Sequence, residues 1–273
     1  MPSIDIGANL AHDSFDADRE AVLQRAKDAG VQAIVVTGSC AQSIPAAIAL
    51  SREHAGYLYA TAGVHPHHAE TVNGELITQL QHWAEAEEIV AMGEMGLDFF
   101  RDFCPRDVQE KAFQQQLEIA GRIGKPLFLH QRDAHERFLP ILREQLDHFP
   151  AAVVHCFTGT ESELRDYLDL GLYIGITGWI CDERRGQHLL DIVGLIPEDR
   201  LLVETDAPYL LPRNLKPKPK TRRNEPMYLP AVVETIATAT GRKLDDVAST
   251  TADNAVRFFN LPSCIATSRA ATG

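Results

Sequence analysis

Short apolar runs that turn polar or glycine-rich at their ends recur along the chain. They read SIDIGANL, VQAIVVTG, YLYATAGVHP, IVAMGEMGLD, PLFLHQRD, AAVVHCFTG, LYIGITG and LLVETDAP, and begin near residues 3, 31, 57, 89, 126, 151, 172 and 201. Their length and β-branched content predict strands. Amphipathic stretches lie between them. DADREAVLQRAKDAG groups Val22, Leu23 and Ala26 and stops at Gly30, while DVQEKAFQQQLEIAGRIG predicts a longer helix. Two more helices are predicted near 226–240 and 243–257. Eight strands alternating with helices indicate parallel β/α units, and eight is the closing number of a TIM barrel. The chain reads as an α/β protein, one (β/α)8 barrel over residues 1–259, with a short disordered tail at 260–273.

Composition narrows the class. A 273-residue chain with 45% hydrophobic residues suits one large core, and 23% charged residues argue against wholesale disorder. The apolar runs are too short for a membrane span, and the start MPSIDIG lacks the basic and apolar regions of a secretory signal. Cys40, Cys104, Cys156, Cys181 and Cys264 form no C-x-x-C pair, which suits a reducing compartment and a cytoplasmic protein. A net charge of −12 argues against a general nucleic-acid coat protein. It leaves room for a local basic site, because a phosphate feels charge only within about a Debye length.

Catalytic groups of a β/α barrel collect at the C-terminal strand ends. Those ends carry His65, Glu94, His130, His155, Glu204 and Asp206. A lone strand-end histidine is more often a hydrogen-bonded rim residue. Imidazoles and carboxylates on several strands together favour a mixed N/O metal site, which polarises a phosphoryl oxygen and supplies hydroxide near neutral pH. His65, in the turn GVHP, fits a phosphate contact or a third imidazole. His12, His54, His67, His68, His82, His135, His148 and His188 read as surface or packing residues. Asp133 reads as a helix N-cap and Cys156 as a buried free thiol.

The segment PRNLKPKPKTRRNEP carries Arg213, Lys216, Lys218, Lys220, Arg222 and Arg223 with no acid among them, and Pro217 and Pro219 hold it extended. A solvated loop is the ordinary reading of such a run. In an acidic chain, beside a hydrolytic site, phosphate binding is the better one, extended by Arg132, Arg184 and Arg185. For Phe99, Phe157, Trp179 and Tyr209, base stacking and core packing both stay open.

GVHP, GEMGLD, HQRDAHERF, HCFTGT, IGITGW and ETDAPYLLP follow one another over nearly the whole chain. In order and spacing they resemble the motifs of the TatD family of metal-dependent deoxyribonucleases. The resemblance implies a TIM barrel of the metallo-dependent hydrolase type. It also implies a magnesium-dependent 3′–5′ exonuclease on single-stranded DNA and RNA, cytosolic, with a part in DNA repair. The family's metal-binding glutamate falls on Glu94, its later histidine ligands on His130 and His155, and its last aspartate, ligand or general base, on Asp206. His65 and Glu204 stand beside Asp206 as candidate catalytic groups, and Arg132, Lys218, Lys220, Arg222 and Arg223 as candidate phosphate contacts.

Most of that family ends the first strand in H-x-H. Here the triplet is Gly7-Ala8-Asn9, a feature of the TatD branch. One tight ion is therefore expected, Mg²⁺ with Mn²⁺ or Zn²⁺ as alternatives, and Asn9 marks a weak second position. A monomer with no membrane contact and no obligate protein partner is expected. Two other readings stay open: a small-molecule amide or phosphoester hydrolase of the same superfamily, and a nucleic-acid-binding barrel without turnover.

Overall fold

The β-branched runs become strands buried on both faces, as parallel strands covered by helices must be. All six residues of β1 are buried. In a computed structural model that describes residues 2–262 and 265, the elements are β1 (Ser3–Ala8), α1 (Arg19–Asp28), β2 (Val31–Val36), α2 (Ser43–Glu53), β3 (Leu58–Ala62), α3 (Gly74–Ala84), β4 (Ile89–Asp98), α4 (Arg106–Ile123), β5 (Leu127–Arg132), α5 (His135–Arg143), β6 (Ala152–Val154), α6 (Glu161–Asp169), β7 (Tyr173–Ile176), α7 (Gln187–Ile192), β8 (Leu201–Val203), α8 (Leu229–Thr240) and α9 (Leu244–Phe259). Each strand begins within one residue of its expected start. They form one sheet in the order β1-β2-β3-β4-β5-β6-β7-β8, the topology of the TIM barrel. Residues 263–264 and 266–273, most of the expected tail, lie outside the described residues. Among the described residues no helix is long and apolar enough to cross a membrane.

Two compact units divide the chain. The first takes the residues up to Val36 and those from Ile174 onward. In it β1 pairs with β2 and β7 with β8, both in parallel. The core here is built by Ile4, Ile6, Leu23, Val232, Ile236, Val247 and Phe258, all buried. Helix α9 stops at Asn260, whose left-handed backbone (φ 51°) lets the Leu261 N–H reach the Val256 carbonyl at 2.9 Å.

The second unit is Thr37–Tyr173. Strands β3 to β6 pair in parallel in sequence order. Gly93 and Gly96 let β4 approach β5 closely. A Cβ on Gly93 would sit 2.0 Å from the Phe128 carbonyl oxygen, and one on Gly96 would sit 1.9 Å from that of His130. Helix α4 sends two buried glutamines toward the loops after β3 and β4. The Gln116 amide accepts the Val64 N–H (2.7 Å) and donates to the Val64 carbonyl (3.0 Å). Gln109 accepts the Asp98 N–H (2.9 Å) and donates to the Asp98 and Cys104 carbonyls at 3.2 and 2.8 Å. Two local expectations change. Helix α5 begins after Ala134 rather than at Asp133, because the Gln131 side chain takes the Ala134 N–H at 2.9 Å. Cys156 is in no disulfide but only half-buried, in a left-handed turn (φ 46°).

Within the first unit Asp5 lies fully buried on β1, and accepts the Thr205 N–H (2.9 Å), the Thr205 hydroxyl and the Gly7 N–H (3.3 Å). Burial outweighs these donors and pushes its carboxyl up to about 7. An unfolded chain releases this proton near pH 4, whereas the folded one holds it to about pH 7. Folding therefore takes up a proton between those values, and stability falls as pH rises through that window and levels above it. Asp5→Asn should remove this slope. Denaturant titrations from pH 4 to 8 should show the variant gaining on the wild type by a few kcal/mol, about 4 at most. A pH-independent difference would contradict the assignment.

Candidate metal centre

Four side chains of the second unit meet at one oxygen. Glu94 Oε1 lies 2.7 Å from His155 Nε2, 3.0 Å from His130 Nδ1 and 3.3 Å from His65 Nε2. The residues arrive from different elements. Glu94 lies within β4, which continues past it to Asp98, and His130 lies within β5. His155 directly follows β6, and His65 lies beyond β3 with its loop fixed by Gln116. Phe128 stacks on His155 at 4.5 Å and sets its plane.

Electrostatics divide the roles. Burial alone would push the Glu94 carboxyl up, but the His155 and His65 imidazoles and the hydrogen bonds from His130 and His155 hold it well below the usual range. His65 is driven well below its ordinary value, first by burial, so it is a neutral imidazole. Its Nδ1 accepts the His67 N–H at 3.0 Å, which leaves its proton on Nε2, the nitrogen facing Glu94. His130 Nε2 is buried without a hydrogen-bond partner, 3.4 Å from Asp98 Oδ2. Donor atoms of His65, Glu94 and His130 all lie within 4.8 Å of one another. An anionic oxygen, converging imidazoles and an orphaned buried nitrogen are the donor set a divalent cation takes.

Two residues belong here that the sequence reading passed over. His67, read as surface or packing, holds Asp98 through Nε2 at 2.7 Å, and its ring lies 4.2 Å from that of His65. Asp98 is almost fully buried. Burial raises its carboxyl, and the nearby His130 imidazole and the hydrogen bond from His67 pull it below the usual range by more. The signal was present: Glu94 and Asp98 are four apart on one strand, an even spacing that shares a face.

The remaining candidates lie in the first unit, apart from Arg132, which stands over the Phe100 ring at 4.1 Å. Asp206 has a left-handed backbone (φ 55°), and its Oδ1 accepts the Asn9 amide at 3.0 Å. The Asn9 amide nitrogen is thus engaged with a carboxylate. Glu204 is fully buried. Lys218, Lys220 and Arg222 are exposed, and Lys218 and Arg222 line a cavity of about 440 Å³ with Trp179 and Arg185, whose guanidinium stands 4.2 Å over the indole. Arg223 is held differently. It donates to Asp18 at 2.8 Å, Glu225 at 2.8 Å and the Ser14 carbonyl at 2.6 Å. Arg213 pairs with Glu183 at 2.8 Å. Of the open aromatics, Phe157 is core, while Tyr209 is exposed.

Comparison with known proteins agrees with this geometry. Residues 4–260 match the family described as TatD related DNase. A protein of Erwinia tasmaniensis named 3′-5′ ssDNA/RNA exonuclease TatD is 51% identical over 257 residues, covering 94% of this chain and 99% of its own. Its namesake from Pectobacterium parmentieri is 52% identical over the same shares. The solved structure of the TatD homolog YjjV from Escherichia coli superposes with a TM-score of 0.86 at 30% identity, covering 95% of this chain and 98% of that one. The chain belongs to the TatD-related DNase family.

Proposed function

We propose that this chain is a metal-dependent 3′–5′ exonuclease that hydrolyses phosphodiester bonds at the ends of single-stranded DNA and RNA. The observation that carries the reading is the convergence of three imidazole nitrogens on Glu94 Oε1, in a chain similar over 94% of its length to relatives named for that activity. Glu94, His130 and His155 hold the cation. Mg²⁺ is the ion proposed, and the imidazoles add affinity for Mn²⁺ and Zn²⁺. Bound there, a divalent cation polarises the phosphoryl oxygen and lowers the pKa of water. His65 Nε2, which carries that ring's proton, donates to a phosphate oxygen. Asp206, oriented by the Asn9 amide, takes the proton of the attacking water. Lys218, Lys220 and Arg222 meet the phosphates of the strand. That Cys40, Cys104, Cys156 and Cys181 form no disulfide supports a cytoplasmic setting.

Glu94→Gln, His130→Ala and His155→Ala should each lower kcat/KM on a 3′-labelled strand beyond the 10–100-fold that outer partners of a metal cost. Bound metal, read by mass spectrometry on the same samples, should fall in step. Double variants should be little worse than single ones, because the three act as a unit. A His155→Ala protein with near-normal cleavage would overturn the ligand set, and turnover of amides by the wild type would favour the small-molecule reading.

Salt titration separates the cations. For single strands log K falls with log salt by about 0.7 per phosphate neutralised. Removing Lys218, Lys220 and Arg222 together should flatten that slope by about 2 and weaken DNA and RNA alike. Arg223→Ala should leave the slope unchanged and lower Tm instead, since its partners are Asp18 and Glu225. Each kcal/mol lost should appear as about 2–4 °C.

A further inference from the structure

Phe103 and Phe100 are the most exposed large apolar side chains among the described residues, at 64% and 54%. Both lie on the loop between β4 and α4, in the sequence Asp98-Phe99-Phe100-Arg101-Asp102-Phe103-Cys104. Looseness does not account for their exposure, because the loop is tied along its length. Asp98 Oδ1 accepts the N–H groups of Phe100 (3.1 Å) and Arg101 (2.8 Å). Gln109 grips the backbone at Asp98 and Cys104 together. Arg106 pairs with Asp102 at 2.6 Å and stands 4.5 Å over the Phe99 ring. The fold therefore holds two apolar rings in water and spends hydrogen bonds to keep them there.

Their position gives this a direction. The Phe103 ring is 4.7 Å from His67, His67 is 4.2 Å from His65, and His65 is 4.4 Å from His130, an unbroken row of rings into the metal centre. Asp98, which shapes the loop, is also the carboxylate bonded to His67. The Arg132 guanidinium stands 4.1 Å over the Phe100 ring and that of Arg101 5.8 Å from it, and about half of the residue stays exposed between these cations. Aromatic faces with a cation beside them are what unpaired bases and their phosphates bind. A duplex hides its base faces in its own stack and offers nothing to such rings.

We propose that Phe100 and Phe103 form a stacking platform for the unpaired bases at the 3′ end, seating the strand while its terminal phosphodiester lies at the Glu94 cluster. This rests on the nuclease reading of the same site. The platform makes a single strand the preferred substrate without reading its sequence, since every base has a π face.

The test uses the full chain with Mg²⁺ and two single-stranded oligonucleotides, one ordinary and one with abasic sugars at its last two 3′ positions. Phe100→Ala and Phe103→Ala should each raise KM for the ordinary strand roughly 5- to 150-fold, with kcat within about twofold. Phe100→Trp and Phe103→Trp should restore it. On the abasic-ended strand the Ala variants should match the wild type, because there is no base left to stack. Unchanged KM on the ordinary strand, or an Ala penalty that persists on the abasic one, would overturn the platform while wild-type cleavage leaves the nuclease reading intact. A change in sedimenting mass at unchanged KM would assign the rings to self-association and overturn it too. A wild type that cleaves neither strand would remove the nuclease reading, and the platform with it.

Discussion

A buried carboxylate facing three imidazoles sets the terms for the second unit. Glu94 is 7% exposed, and an ion taken that far from water costs several kcal/mol unless compensated. Compensation comes from rings on β5, after β6 and after β3, so each of these segments must arrive in register with β4. Gly93 and Gly96 are part of the same requirement, because a Cβ at either would collide with the β5 backbone beside His130.

Asp98 carries the second layer of this organisation. One of its oxygens receives His67 and approaches His130, and the other fixes the turn at Phe100 and Arg101. The geometry of the histidine cluster and that of the loop are thus settled by one carboxylate. In the first unit the pair Asn9–Asp206 has a comparable form, an amide steering a carboxylate. With no histidine at the end of the first strand, Asn9 just after β1 presents a neutral amide that donates to Asp206.

Periodicity made the strands and helices legible, since short β-branched runs and amphipathic stretches alternate with little ambiguity. Strand-end position made Glu94, His130 and His155 legible as a group. His67 and Asp98 escaped because His67 sits in a turn with no periodicity and Asp98 looks like a strand terminator when only strand ends are scanned. Arg223 shows the opposite limit. In sequence it belongs to a cationic run, and only the fold brings Asp18 from 205 positions away to hold it. Local sequence records charge but not which charge a partner has already met. The outward rings of Phe100 and Phe103 were hidden for the same reason, because an aromatic run after a strand reads as core until its exposure is known.

Gln109 and Gln116 lie seven positions apart on α4, two helical turns and about 10 Å. One holds the loop that shapes Asp98, and the other holds the loop that carries His65. The spacing between these two loops is therefore ruled by the pitch of a helix as well as by strand register. A helix works as a stiff gauge, because adding or removing one residue turns everything beyond it by about 100°. An insertion between the two glutamines would release one loop while every strand stayed paired. A barrel whose loops are spaced in this way can vary others, and with them its substrates, while the clamped pair keeps its dimensions.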